Sequence, residues 1–173
     1  SMLVFVGLPW EYNNKLYNVA AAIQDGKLLG LVPKRWIPNY SEFYEGRYFN
    51  SGWEKTIDVS WDGYQVPMGM KLLFSCDNVE NLVVGAEICE DVWVLNPPSI
   101  AHASAGATVI VNCSASDETT GKAGYRETLI AGQSARLVCA YIYANAGEGE
   151  STQDLVFGGH DIIAENGNIL AES

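Results

Sequence analysis

Short apolar blocks broken by polar turns run along the whole chain, and they predict strands more often than helices. The clearest breaks are rich in Asn, Asp and Gly. Asn13-Asn14 lies between Leu8-Pro9-Trp10 and Leu16-Tyr17-Asn18-Val19. Asp25-Gly26 separates Ala20-Ala21-Ala22-Ile23 from Leu28-Leu29-Gly30-Leu31, and Asn166-Gly167 separates Ile162-Ile163-Ala164 from Asn168-Ile169-Leu170-Ala171. Such pairs tolerate the positive φ angles of two-residue turns, so each predicts a hairpin. Further strands are expected at 56–59, 71–74, 82–88, 108–112 and 139–145. Several are apolar without alternation, as in strands whose sheet is covered on both faces.

Helical signals occur in two places. Pro97-Pro98 suits a first helical turn, and the alanine-rich run that follows reaches a stop at Gly106. A longer helix is expected from about Lys122 to Val138, after the capping-rich turn Asp117–Gly121, with Tyr125, Leu129, Ala135 and Val138 on its buried side. From Leu82 the order is strand, helix, strand, helix, strand, hairpin, which defines an α/β layered domain. No repeat, low-complexity segment or internal linker interrupts it.

Composition narrows the function. At 173 residues, 48% hydrophobic and 18% charged, the chain is one soluble-type domain with a real core. A net charge of −11 repels phosphate backbones and argues against nucleic-acid binding. No apolar run is long enough for a membrane span, so no membrane role is expected. Cys76, Cys89, Cys113 and Cys139 form no Cys-x-x-Cys pair, which fits free thiols in a reducing cytoplasm. With two histidines and no ligand-like spacing, no metal site is expected. The Ser1-Met2 start resembles a tag remnant, and the chain reads as a piece excised from a larger fold.

The sharpest chemical feature is Gly85-Ala86-Glu87-Ile88-Cys89-Glu90-Asp91-Val92-Trp93, where an apolar strand delivers a cysteine into two carboxylates and a tryptophan. Strand ends of α/β folds face the ligand crevice, so Cys89 is placed as a nucleophile. The alternative is an inert buried thiol followed by an acidic turn. Neighbouring acids raise a thiol's pKa, so a working thiolate needs a cation, and no histidine presents itself. Lys34 is the best candidate, in a stretch crowded with charge, aromatics and prolines up to Phe49; it could equally pair with a glutamate on a surface loop. The turn from Asn112 to Lys122 suits a carboxylate ligand, or simply caps a helix. Cys113 and Cys139 read as core thiols, and His102 and His160 as structural. Gly158-Gly159 lacks the third glycine and following helix of a dinucleotide fingerprint.

Taken in order, these motifs resemble a known family. Lys34 with Pro38-Asn39-Tyr40, Glu42-Phe43-Tyr44-Glu45, Arg47 and Phe49, then Glu87-Ile88-Cys89-Glu90-Asp91 and Trp93, are similar to the glutaminase domain of glutamine-dependent NAD synthetases, a nitrilase-type carbon–nitrogen hydrolase. Asn112, Ser114-Ala115-Ser116, Gln133-Ser134-Ala135-Arg136 and the stretch from Gly147 to His160 continue the match over nearly the whole chain. The resemblance implies a nitrilase-like α-β-β-α sandwich and a Glu-Lys-Cys catalytic group. Cys89 looks like the nucleophile, Lys34 like the lysine that stabilises the oxyanion, and Glu42 like the second glutamate that orients the centre. Tyr40, Glu90, Ser116 and Lys122 match positions of the glutamine pocket.

The resemblance also implies partners: glutamine, a synthetase domain that uses ATP and Mg, and further copies in a homo-oligomer. This chain itself is expected to hold no cofactor. The family's general-base glutamate lies upstream of the Val6-Gly7-Leu8-Pro9 strand, so the chain reads as N-terminally truncated and as a poor glutaminase by itself. Another nitrilase-type amidase, or a non-catalytic module of the same fold, are the rival readings.

Overall fold

The computed structural model describes residues 1–150 and 154–173. The three expected hairpin turns all form, because Asn13, Asn14, Asp25, Gly26, Asn166 and Gly167 adopt the positive φ their turns require. They join β1 (Leu3–Tyr12) to β2 (Lys15–Gln24), β2 to β3 (Lys27–Pro33), and β10 (Ile162–Glu165) to β11 (Asn168–Glu172). A fourth hairpin, β4 (Ile57–Trp61) to β5 (Tyr64–Met68), was not anticipated, although Asp62-Gly63 carries the same signal and the same positive φ. The remaining strands are β6 (Leu73–Ser75), β7 (Val83–Ile88), β8 (Val109–Ser114) and β9 (Ala140–Asn145).

These strands make two sheets, ordered β1-β2-β3-β5-β4 and β11-β10-β9-β8-β7-β6. In the second sheet β7, β8 and β9 run parallel, joined by right-sized helical crossovers α1 (Pro98–Ser104) and α2 (Lys122–Leu137). The sheets face each other through Ala20, Val32, Ala86, Ile88 and Cys89, with Phe5 and Phe74 packed edge to face alongside. Small residues on the β2 side keep that interlayer thin and bring the ends of β3 and β7 together.

Both helices pack on the six-stranded sheet, over a second core of Ile110, Ile130, Tyr141, Tyr143, Ile162 and Ala164. The third core lies on the other side of the five-stranded sheet, where the β4–β5 hairpin brings Val59, Val66 and Met68 onto Tyr17, Val19, Ala21 and Leu31. That hairpin is held to β3 by a single parallel pairing, Leu31 with Met68, supported by a Gly69 N–H to Leu31 O bond of 2.9 Å and a Trp10–Trp61 ring contact at 5.6 Å. The layering is the nitrilase-like α-β-β part of the expected sandwich; no helix of the described residues forms the outer layer over the five-stranded sheet.

The face of α2 differs from the sequence expectation. Its buried residues are Arg126, Ile130, Gln133 and Ser134, while Tyr125 and Val138 are 60% and 76% exposed and Ala135 is also exposed. The helix buries polar groups that find partners in the fold, so its apolar residues alone do not mark the inner side. Nor does a side chain cap its start, which rests on Gly121 at φ 83°. At its other end Val138 ends the helix at φ 53°, a left-handed conformation that a β-branched residue adopts at a cost.

Two stability effects follow. Ile130→Ala should lower the unfolding free energy in urea by about 2–5 kcal/mol, whereas Tyr125→Ala should change it by less than about 0.5 kcal/mol. Val138→Gly should raise it by about 1 kcal/mol, since glycine removes the left-handed strain at an exposed position.

Candidate active site

The strand β7 ends by delivering Cys89 into a one-turn 3-10 helix, Cys89–Val92. Cys89 sits at φ 45°, a left-handed conformation that needs support from its surroundings when the residue is not glycine. Support arrives from β8, where Asn112 Oδ1 accepts the Cys89 N–H at 2.9 Å. The sulfur-bearing residue is buried, 8% exposed, at the mouth of the interlayer.

Asp91, one turn further on, binds this elbow to the other sheet. Its carboxylate accepts N–H groups from Ile88 (3.0 Å), Arg35 (3.1 Å) and Trp36 (2.8 Å). The residues after β3 and after β7 are thereby fastened to one side chain. Burial, reinforced by Glu87, pushes the Asp91 carboxyl up to about 7, against the pull of the amides it accepts and of Lys34.

Lys34 is thus carried to the same end of the interlayer. Its N–H donates to Asn18 O at 2.8 Å, and its carbonyl accepts Gly52 N–H at 2.7 Å. Gly52 is needed here, because a Cβ would lie 2.9 Å from Pro33 O and 3.0 Å from Lys34 O. The Lys34 side chain is fully buried, and its Nζ donates to both carboxylate oxygens of Glu45, at 2.7 and 2.9 Å. A buried ammonium needs such a partner.

Lys34, Glu45 and Cys89 line one cavity of about 580 Å3, together with Cys113, Asn145 and Asp161 among others. A neighbouring cavity of about 420 Å3, lined by Glu42, Phe43, Asp154 and Phe157 among others, shares Glu45 and Ala115 with it. Lys34 and Cys89 therefore line the same cavity.

The carboxylate that receives Lys34 is Glu45, to which the resemblance assigned no separate role. The one-turn helix Glu45–Arg47 turns Glu45 inward, whereas Glu42 faces Asp117 and lines the neighbouring cavity. Tyr40 O–H donates to Glu90, 2.9 Å from each carboxylate oxygen. Burial raises both the Tyr40 hydroxyl and the Glu90 carboxyl; Glu90 adds to the first shift, and Tyr40 and Lys34 moderate the second. Lys122 is ion-paired with Asp117 and lies 5.8 Å from the Phe43 ring and 5.5 Å from that of Trp93. Asp117 is held below the usual carboxylate range by Lys122, although burial opposes the shift. Ser116 is buried, its backbone clamped by Asn145 through bonds of 2.7 and 3.2 Å. Tyr40, Glu90, Ser116 and Lys122 surround the two cavities without lining either.

Cys113, read from the sequence as a core thiol, is on the cavity wall, and burial pushes its thiol up. Cys139 is in the helix-side core as expected, its thiol pushed up to about 11 by burial, with Glu87 adding. His102 is structural, bonded through Nε2 to Met70 O at 2.8 Å. His160 packs near Glu127 and Glu172, and Arg126 donates to its Nδ1 at 3.0 Å, so Nε2 carries the proton and is not free to ligate a metal. Ser151, Thr152 and Gln153, part of the resemblance, lie outside the described residues. Sequence reasoning named Asp91 and Asn112 within its motifs without giving them a role, and it did not single out Asp161; a carboxylate inside the cysteine motif and an amide at the end of an apolar strand were the available signals.

A cysteine elbow opposed by a buried lysine, at one end of two facing sheets, is the arrangement of nitrilase-like hydrolases. The chain belongs to the carbon–nitrogen hydrolase family, whose sequence profile matches residues 1–173. It is 44% identical over 171 residues to the glutamine-dependent NAD(+) synthetase of Mycobacterium tuberculosis, covering 99% of this chain and 25% of that protein. It is 32% identical over 162 residues to the enzyme of the same name from Aquifex aeolicus, covering 94% of this chain and 25% of the relative. The crystal structure of a glutamine-dependent NAD(+) synthetase from Cytophaga hutchinsonii is 30% identical and superposes with a TM-score of 0.85, over 99% of this chain and 27% of that one. An amidase from Nesterenkonia, 19% identical at a TM-score of 0.72, covers 99% of this chain and 57% of its own, and shares the fold alone. The chain therefore spans about a quarter of the length of the synthetases it matches.

Asp91 gives the site a pH-dependent stability. Its folded pKa of about 7 lies above the ordinary carboxylate value, so its stabilising contribution is complete below about pH 4 and is lost as pH rises through 7. The stability difference between wild type and Asp91→Asn should therefore move in the variant's favour from pH 4.5 to 7.5, by up to about 1.4 kcal/mol per pH unit in denaturant titrations. A constant difference across that range contradicts the assignment.

Proposed function

We propose that this chain is the glutamine-hydrolysing domain of a glutamine-dependent NAD synthetase, releasing ammonia for use by a separate, ATP- and Mg-dependent synthetase domain. The observation that carries this reading is that Cys89 and the buried Lys34 line one cavity, within a chain related over nearly its full length to such synthetases.

In this reading Cys89 Sγ attacks the side-chain amide carbon of glutamine. The thiol proton ends on the amide nitrogen, the C–N bond breaks, and ammonia leaves a γ-glutamyl thioester. Water then cleaves the C–S bond, giving glutamate and returning the thiol. Lys34 Nζ stabilises the developing oxyanion, and Glu45 keeps that ammonium charged and aimed. The Tyr40–Glu90 pair and Lys122 flank the substrate, Lys122 offering a cation to its α-carboxylate. Glu42 and Ser116 support the wall around it. The free thiols fit a cytoplasmic protein, and the edge strands β1 and β11, which expose Val4, Val6 and Leu170, favour assembly into a homo-oligomer.

A diazoketone analogue of glutamine should add covalently to Cys89 and to no other cysteine, as read by peptide mass spectrometry; an unmodified Cys89 counts against the reading. In the full-length protein Cys89→Ala should abolish ammonia release from glutamine while leaving synthesis from free ammonia. There, Lys34→Ala should lower kcat by about 10²–10³-fold.

A further inference from the structure

Behind the elbow, on the helix side of the six-stranded sheet, lies a chain of hydrogen bonds that the chemistry above does not use. Cys89 N–H donates to Asn112 Oδ1 (2.9 Å), Asn112 Nδ2 donates to Tyr141 Oη (3.1 Å), and Tyr141 O–H donates to Glu87 Oε1 (2.5 Å). The other Glu87 oxygen accepts Ser99 N–H at 2.8 Å, at the start of α1, and Gln133 of α2 donates to Ser99 Oγ at 2.8 Å. Glu87, Asn112, Ser99 and Tyr141 are each no more than 1% exposed, and Gln133 is 4% exposed. A carboxylate in the middle of an apolar strand is costly unless it is fully bonded, and here it is.

The chain has only one direction. Ser99 N–H and Tyr141 O–H both point at Glu87, so Tyr141 offers a lone pair to the Asn112 amide group. That fixes Nδ2 toward Tyr141 and Oδ1 toward Cys89, where it also accepts Ser114 O–H at 2.8 Å. Without Tyr141 the orientation of the Asn112 amide rests only on the donors at its Oδ1, Cys89 N–H and Ser114 O–H, and its Nδ2 loses its partner. A left-handed cysteine is strained, and one loosely held hydrogen bond does not offset that strain. Orientation of Asn112 is what makes its bond to the elbow dependable.

We propose that Glu87, Tyr141 and Asn112 are positioning residues that lock the Cys89 elbow, so that its sulfur stays in the cavity of Lys34. The role rests on the glutaminase reading for its kinetic consequence, but its effect on the thiol does not. Breaking the relay lets Cys89 relax out of its left-handed conformation and withdraw the sulfur from the lysine.

The test uses Tyr141→Phe and Asn112→Ala, with Ile130→Ala as a control that loosens the same core, which includes Tyr141, but removes no hydrogen bond of the relay. The rate of alkylation by iodoacetamide is followed separately at Cys89, Cys113 and Cys139 by mass spectrometry. Loss of positioning should slow Cys89 about tenfold or more in both relay variants and leave Cys139 unreactive. In the full-length enzyme Tyr141→Phe should lower kcat for glutamine by a similar factor with KM unchanged. A packing role alone predicts the opposite pattern, with faster labelling of all the thiols, as in Ile130→Ala, and that result overturns the proposal. So does a Cys89 rate in Tyr141→Phe equal to wild type. Should Asn112→Ala fail to fold, Tyr141→Phe still decides. Should the wild-type enzyme not hydrolyse glutamine, the functional reading fails, and the alkylation rates judge the relay by themselves.

Discussion

Two loops from different sheets meet at the buried carboxylate of Asp91, and the geometry of the site depends on that meeting. The amides of Arg35 and Trp36 come from the chain leaving β3, and the amide of Ile88 from the end of β7. Sheets packed face to face can slide relative to one another, because apolar contact has no preferred direction. Hydrogen bonds do have one. By accepting from both sheets at once, Asp91 fixes how far Lys34 is from Cys89, and it does so without placing either side chain directly. The cost is a carboxyl kept in a dry environment beside Glu87.

Around that clamp, the charges divide by depth. Glu45 and Lys34 form a pair on the cavity wall, Glu90 is bonded to Tyr40 at its rim, and Asp117 holds Lys122 further out. In an acidic chain of net charge −11, Lys34 and Lys122 are thus each paired with a carboxylate of their own. The consequence is a site in which no ammonium is left to wander, and in which replacing one acid alters the aim of a neighbouring base.

Much of this was legible before any coordinates. Asx-Gly turns mark hairpins through a local backbone requirement, so β1 to β3 and β10 to β11 were readable from the residues alone. Cys89 and Lys34 stood out because their neighbours were chemically unusual. What failed depended on partners distant in sequence. The buried side of α2 is set by Arg126, Gln133 and Ser134, whose bonds reach Glu118, Ser99 and Gly167, and no helical periodicity of apolar residues reports such bonds. That Glu45 is the lysine's partner depends on the single helical turn it starts, which its neighbours in sequence do not announce. The β4–β5 hairpin was missed although its signal is present, since Ile57, Val59 and Trp61 and then Tyr64, Val66 and Met68 fall at every second position around Asp62-Gly63.

The β4–β5 hairpin also acts as a lever. It pairs with its sheet only at Leu31 and Met68 and otherwise packs on it through apolar side chains, and the segment leading into it is bonded to the site, through Asn50 to Leu16 O and through Gly52 to Lys34 O. An object that pried the hairpin outward would pull on the carbonyl of the lysine, at the far side of the sheet from the cavity. A displacement of that hairpin is therefore transmitted to the backbone of Lys34 through Gly52.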